Sequence, residues 1–130
     1  MPYLNPAETK PHLLEREQHV KAEKFLHALE MFRELNPAIT GNHIASLLLV
    51  ALKPGGGPTD YAKDLETTSG IVSRWMLELG ERSRDGGEGF GLVDRRGGSV
   101  DLREVHYTLS PKGRTFLKKF TDRLGVGAHG

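Results

Sequence analysis

PTDYAKDLETTSGIVSRWMLEL, residues 58–79, is the stretch whose reading decides the fold. It begins with a short helical segment, with Thr59 as its cap and Ala62 and Leu65 facing inward. Glu66-Thr67-Thr68 makes a polar turn, and Thr68 has the side chain to cap a second helix from Ser69. At 100° per residue, Val72, Trp75, Met76 and Leu79 fall on one arc of that helix. Gly70, Arg74, Leu77 and Glu81 fall opposite, with Ser73 at the edge. Two helices joined by a tight polar turn outline a helix-turn-helix, a unit able to lay its second helix in a DNA major groove. The outline recurs in many settings, so the flanks must decide.

Upstream, Lys53-Pro54-Gly55-Gly56-Gly57-Pro58 reads as a flexible turn, not a phosphate loop, because no Gly-Lys-Ser/Thr follows it. Before it, Thr40 is placed to cap a helix with Ile44, Leu47, Leu48, Ala51 and Leu52 at helical spacing. Being almost wholly apolar, that helix is the expected central one. Asn36-Pro37 separates it from a long helix over Pro11–Leu35, striped by Leu13, Val20, Phe25, Leu26, Leu29, Phe32 and Leu35. Pro2, Pro6 and Pro11 mark an extended arm. Downstream, Arg82–Gly91 is glycine-rich and lacks the G-x-G-x-x-G pattern of a nucleotide site. Two strand-like runs follow, Leu92–Arg96 and Arg103–Leu109, around Gly97-Gly98-Ser99-Val100. Val105, Tyr107 and Leu109 alternate with polar residues, the period of a half-buried strand. Ser110-Pro111 opens a last helix striped by Phe116, Leu117, Phe120 and Leu124, and the tail from Gly125 is expected to fray.

Composition narrows the function. The 130 residues suit one domain of modest core, with 37% hydrophobic and 27% charged residues. No apolar run approaches a membrane span and no secretion signal is visible, so a cytoplasmic protein with no membrane partner is expected. Cysteine is absent, which removes disulfides, thiolate metal sites and thiol catalysis. The net charge is +1, and Thr59 to Arg114 holds nine Lys/Arg against ten Asp/Glu. Non-specific duplex affinity comes from phosphate neutralisation and is therefore expected to be weak. No catalytic Ser-His-Asp order or carboxylate pair emerges, so the protein is expected not to be an enzyme, with no cofactor. His19, Glu23 and His27 stand one turn apart and could share a metal ion, but this spacing more often marks a solvated face. No metal site is therefore assigned.

The order helix-turn-helix, hairpin, and a helix opened by Leu109-Ser110-Pro111-Lys112-Gly113 resembles the winged helix-turn-helix regulators of the multiple-antibiotic-resistance regulator (MarR) family, over about Ile39 to Leu124. Gly91-Leu92-Val93-Asp94-Arg95 is similar to the family's first wing strand, and Asp101-Leu102-Arg103 to its Asp-x-Arg wing signature. Ala62-Lys63-Asp64-Leu65 and Val72-Ser73-Arg74 fall where the family has Ala-x-x-Leu and Val-Ser/Thr-Arg. The resemblance implies a mainly α fold with a small β-hairpin wing, flanked by N- and C-terminal helices. It implies a homodimeric repressor of double-stranded DNA with a palindromic operator, and a small aromatic effector. It places Thr68, Ser69, Gly70, Ser73 and Arg74 at the major groove. Arg103, oriented by Asp101, goes to the minor groove or its phosphates, and Arg95 and Arg96 to the backbone at the wing base. Three departures stand out: Glu81–Phe90 is inserted before the wing, the chain ends without the family's further dimerisation helix, and the family is often more basic than this chain. Dimerisation is then expected on Phe25, Leu29, Phe32, Phe116 and Phe120. The domains expected are an arm and dimerisation helix (1–37), the winged unit (38–110) and a closing helix with tail (111–130). Two plainer readings compete. Arg74 could simply pair with Glu78 at i+4, worth about 0.3–0.5 kcal/mol. The whole unit could serve protein–protein contact, given its balanced charge and Glu78 and Glu81 on the groove face.

Overall fold

The structure, a computed structural model, describes residues 14–81, 87–97 and 104–125. Asp101 and Arg103 of the wing, the Pro11 start of the first helix and the glycine tail lie outside the described residues. Within them the order is α1 (Arg16–Leu35), α2 (Gly41–Leu52), α3 (Pro58–Leu65), α4 (Ser69–Leu79), β1 (Val93–Arg96), β2 (His106–Leu109) and α5 (Pro111–Leu124). The fold is mainly α, with one antiparallel hairpin.

The first helix begins at Arg16, where the Glu15 backbone N–H donates to Gln18 Oε1 at 3.3 Å. It ends at Asn36, whose side chain accepts from the Ala38 N–H at 2.8 Å, and Pro37 cannot extend it. Only its C-terminal half is covered. Ala28, Met31 and Phe32 are buried, whereas Phe25 and Leu26 are 51% and 52% exposed. The cover is α5, whose Phe116 and Phe120 meet Phe32 edge-on at 4.8 and 5.0 Å.

Thr40 caps α2 as its sequence implies, accepting from the His43 N–H at 3.3 Å. The buried arc of α2 differs from the expected one. His43, Ser46, Leu47 and Val50 face inward, while Ala51 and Leu52 (77% exposed) face out. A helix apolar on nearly every side carries no periodic signal to choose its face. The choice falls to the cap and to the polar partner that His43 finds inside.

The glycine run before α3 is not a loose turn. Gly55 N–H donates to Tyr107 O and Tyr107 N–H to Gly56 O, both at 2.9 Å, so the run lies against β2. Tyr61 locks it from the other side: its hydroxyl donates to Lys53 O at 2.6 Å and accepts from Gly56 N–H at 3.0 Å. The cap of α3 is Gly57 rather than Thr59. Proline at the first helical position presets the turn, and Asp60 Oδ2 receives the Gly57 N–H at 2.8 Å. The turn to α4 passes through Glu66 in the left-handed region (φ 52°), and Thr68 caps α4, accepting from Ile71 N–H at 3.3 Å.

After α4 the chain leaves and returns to the same place. Phe90 N–H bonds Glu78 O, Gly91 N–H bonds Gly80 O and Leu92 N–H bonds Leu79 O. The strands pair Val93 with Leu109 and Arg96 with His106, and they are shorter than their sequence runs. Val105 and Tyr107 are buried as their alternation implies. Ser110 then ties wing to closing helix, donating to Gly91 O at 2.6 Å and accepting from Gly113 N–H at 2.9 Å. One hydrophobic cluster runs through all these elements, from Phe32 through Leu47, Val72 and Met76 to Leu92 and Leu117.

Candidate nucleic-acid interface

The helix-turn-helix presents the outer face of α4. Val72, Met76 and Leu79 anchor its inner arc, with Trp75 half-buried beside them. Thr68, Ser69, Gly70 and Arg74 are exposed, and Ser73 is half-buried. A methyl group added at Gly70 would meet nothing within 4 Å, so the helix there opens directly to its surroundings. Thr68 spends its hydroxyl on the cap. The expected face therefore reduces to Ser69, Gly70, Ser73 and Arg74, with Ile71 and Leu77 as exposed apolar neighbours.

Glu78 is not on that face. Its side chain is 13% exposed and accepts a hydrogen bond from His43 Nε2 at 2.9 Å. Thr40 backbone N–H donates to His43 Nδ1 at 3.0 Å, so Nδ1 is an acceptor and Nε2 carries the proton. The imidazole is neutral in this arrangement. It bridges the cap of α2 to the third turn of α4, with Phe90 edge-on to its ring at 5.3 Å. The i,i+4 alternative for Arg74 is thereby removed, and its guanidinium has no ion pair among the described residues. Sequence reasoning missed this pair. Thr40 and His43 at capping spacing were visible, but the contact to Glu78 spans 35 residues.

The wing meets α4 through Tyr107. Burial pushes its hydroxyl up from the ordinary tyrosine range. The Arg95 charge and hydrogen bonds with Ser73 and Arg95 pull it partly back. Ser73 and Arg95 thus converge on one hydroxyl. They edge a pocket of ≈ 310 Å³ between α4 and the hairpin, walled by Met76, Leu77, Val93 and Val105. Arg96 is exposed and sits 3.9 Å from Asp94, a loose pair on the solvent side of β1. On α1, His19 and Glu23 pair at 3.3 Å on a solvated face. Among the described residues no group of three or more His, Asp or Glu could hold a metal ion.

Among the expected dimer residues, Phe32 and Phe120 are buried within the chain, Leu29 and Phe116 are partly buried, and Phe25 is open. No helix among the described residues is long and apolar enough to cross a membrane.

This architecture has solved counterparts. Rv1404 from Mycobacterium tuberculosis superposes with a TM-score of 0.64 at 16% identity, covering 95% of this chain and 77% of its own. The transcriptional repressor CouR, solved bound to a 23-mer DNA duplex, gives 0.57 at 23% identity over 96% of this chain and 81% of its own. Apo MarR from E. coli gives 0.54 at 20% identity over 88% and 79%. The fold is MarR-like. No protein-family model matches the sequence, and no curated protein matches it. In the MarR-like frame α4 takes the place of the second helix of the helix-turn-helix and the β1–β2 hairpin the place of the wing.

Proposed function

We propose that this chain is a sequence-specific regulator of transcription that binds double-stranded DNA as a homodimer and acts as a repressor. The observation that carries the proposal is the α4 face. It presents Ser69, Gly70 and Arg74, which has no ion pair among the described residues, to solvent, while the helix's one carboxylate, Glu78 in its last turn, is turned inward against His43. A small residue at the helix start allows close approach to base edges, and an exposed guanidinium forks onto a guanine or a phosphate. The shared fold with a repressor solved on DNA supports the same reading. The 310 Å³ pocket beside Tyr107 has the volume of a small-molecule site. With Arg95 at its edge, it supports a small aromatic effector.

Selection from random duplexes, followed by a salt titration, tests the proposal. A palindrome with salt-dependent affinity is expected, and Arg74→Ala should weaken binding to it about ten-fold or more and relax preference at one position per half-site. If nothing is enriched and no salt-dependent binding occurs, the chain serves protein–protein contact instead. The inward turn of Glu78 already removes part of that rival's support.

A further inference from the structure

The net charge of +1 conceals a division inside the molecule. The closing helix α5 carries five Lys/Arg, at 112, 114, 118, 119 and 123, against one acid, Asp122. The other described residues run the opposite way, with nine Lys/Arg against thirteen Asp/Glu. None of the five α5 cations forms an ion pair among the described residues, whereas α1 pairs Lys21 with Glu17 and Arg33 with Glu30. The segments outside the described residues bring no surplus of acid. They hold Glu8, Asp85 and Asp101 beside Lys10, Arg82, Arg84 and Arg103.

Three of these cations share one edge of the helix. Lys112, Phe116, Lys119 and Arg123 stand at i, i+4, i+7 and i+11, a stripe about 16 Å long. Pro111, Thr115 and Phe116 floor a groove of ≈ 410 Å³ on this edge, and Lys112 and Lys119 flank it. Phe32 meets Phe116 edge-on at 4.8 Å, which fixes the floor. The stripe begins where Lys112 Nζ donates to Phe90 O at 3.0 Å and Phe90 N–H bonds Glu78 O. That is the far end of α4 from Ser69 and Gly70. It ends by Gly125, where an added Cβ would lie 3.2 Å from Lys24 Nζ, a further cation.

The occupant that fits is anionic and partly apolar. A lipid surface is excluded, because the apolar arc of α5, Leu117 and Phe120, is buried within the chain. A phosphate chain would use the cations and leave the Phe116 floor uncovered. A second copy lacks the complement: two such stripes face to face set like charges together, and α1 of a copy holds four Lys/Arg against four Glu. We propose that this edge of α5 is a docking surface for an acidic amphipathic segment of another protein. The segment lies along α5 with an apolar side chain against Phe116 and carboxylates on Lys112, Lys119 and Arg123. The surface goes beyond the DNA-binding proposal and does not depend on it.

Anisotropy of a labelled helical peptide, with leucine along one face and glutamate on both edges, tests the surface when titrated with the full chain without DNA. Salt of about 0.15 M screens charges more than about 8 Å apart. Its glutamine counterpart and an oligothymidylate run in parallel. Saturable binding of the glutamate peptide is expected, with the glutamine counterpart about ten-fold weaker. Lys119→Glu with Arg123→Glu should weaken it about ten-fold or more, and the milder Lys119→Gln about three-fold. Lys118→Glu, on the other edge of the helix, should cost less than about two-fold. Absence of saturable binding overturns the surface. So does an equal loss in Lys118→Glu, or oligothymidylate bound as tightly as the peptide. If the paired substitution lowers the mass of the chain in light scattering, the face joins copies and the proposal falls. A selected duplex should bind the paired variant as before, and a matching loss there would put DNA on this edge instead. Failure to select any duplex overturns the DNA reading, while the peptide titration still decides the surface.

Discussion

Glu78 shows how one residue changes the meaning of a surface. One turn beyond Arg74 on a helical wheel, it reads as a groove-facing acid or as the arginine's solvated partner. The structure instead folds it against His43, held by an imidazole that Thr40 orients. Removing the imidazole while keeping the carboxylate leaves a largely buried charge without its hydrogen bond. His43→Leu should therefore cost about 2 kcal/mol in urea unfolding, and adding Glu78→Leu should recover most of it. A neutral single substitution would mean that Glu78 swings freely to solvent, and the groove face would then regain its acid. The tyrosines give a second prediction. Burial is the main cause raising both Tyr61 and Tyr107 above the ordinary tyrosine range, about pH 10. Each is neutral when protonated, so the unfolded chain loses those protons first as pH climbs. Their contribution is intact below pH 10 and is lost as pH rises through the higher folded values. Unfolding free energy should thus fall above pH 10, less steeply in Tyr107→Phe and in Tyr61→Phe. Equal slopes in all three proteins would show that neither hydroxyl is shielded.

At the scale of elements, the sequence was most legible where local chemistry is self-contained. Thr40, Thr68 and Ser110 cap helices as their types imply, and the Val105/Tyr107 alternation gave the wing strand its inward face. It was least legible where the partner is distant. The glycine run reads as a flexible turn because its order comes from β2, about fifty residues away, and from the Tyr61 hydroxyl. Two glycines separate packing from recognition. A Cβ at Gly113 would collide with the Leu92 carbonyl, because α5 crosses the entry to β1 at backbone contact. Gly113→Ala should therefore destabilise by about 1–3 kcal/mol. Gly70 lies in open space on an exposed helix, so Gly70→Ala should stabilise by about 0.5–1 kcal/mol. The same methyl would stand between α4 and a duplex. Thermal unfolding and duplex anisotropy should then move in opposite directions for Gly70→Ala, more stable and weaker binding. A variant that is stabilised yet binds as before would take Gly70 off the groove face.

The whole molecule combines a balanced charge with a half-covered first helix. Net charge is +1, so counterion release offers little and a single reading head should hold DNA weakly. Two heads joined rigidly raise the effective concentration of the second, which makes association the expected route to useful affinity. The sequence indicated α1 and α5 for that role, and half of the indication is used inside the chain, where Phe32 packs on Phe116 and Phe120. What remains open on α1 is the arc of Phe25 and Leu26, with Val20 exposed on another side of the helix and Leu14 exposed just before it. Phe25→Glu should leave the unfolding free energy of the monomer nearly unchanged, since the ring is already half in water. Light scattering should shift from twice the chain mass toward the chain mass. Affinity for a selected palindrome should drop about a hundred-fold or more, while a half-site is bound as before. A Phe25→Glu protein that keeps the doubled mass would move the interface off this arc. One that loses it without losing palindrome affinity would show that the two heads act independently.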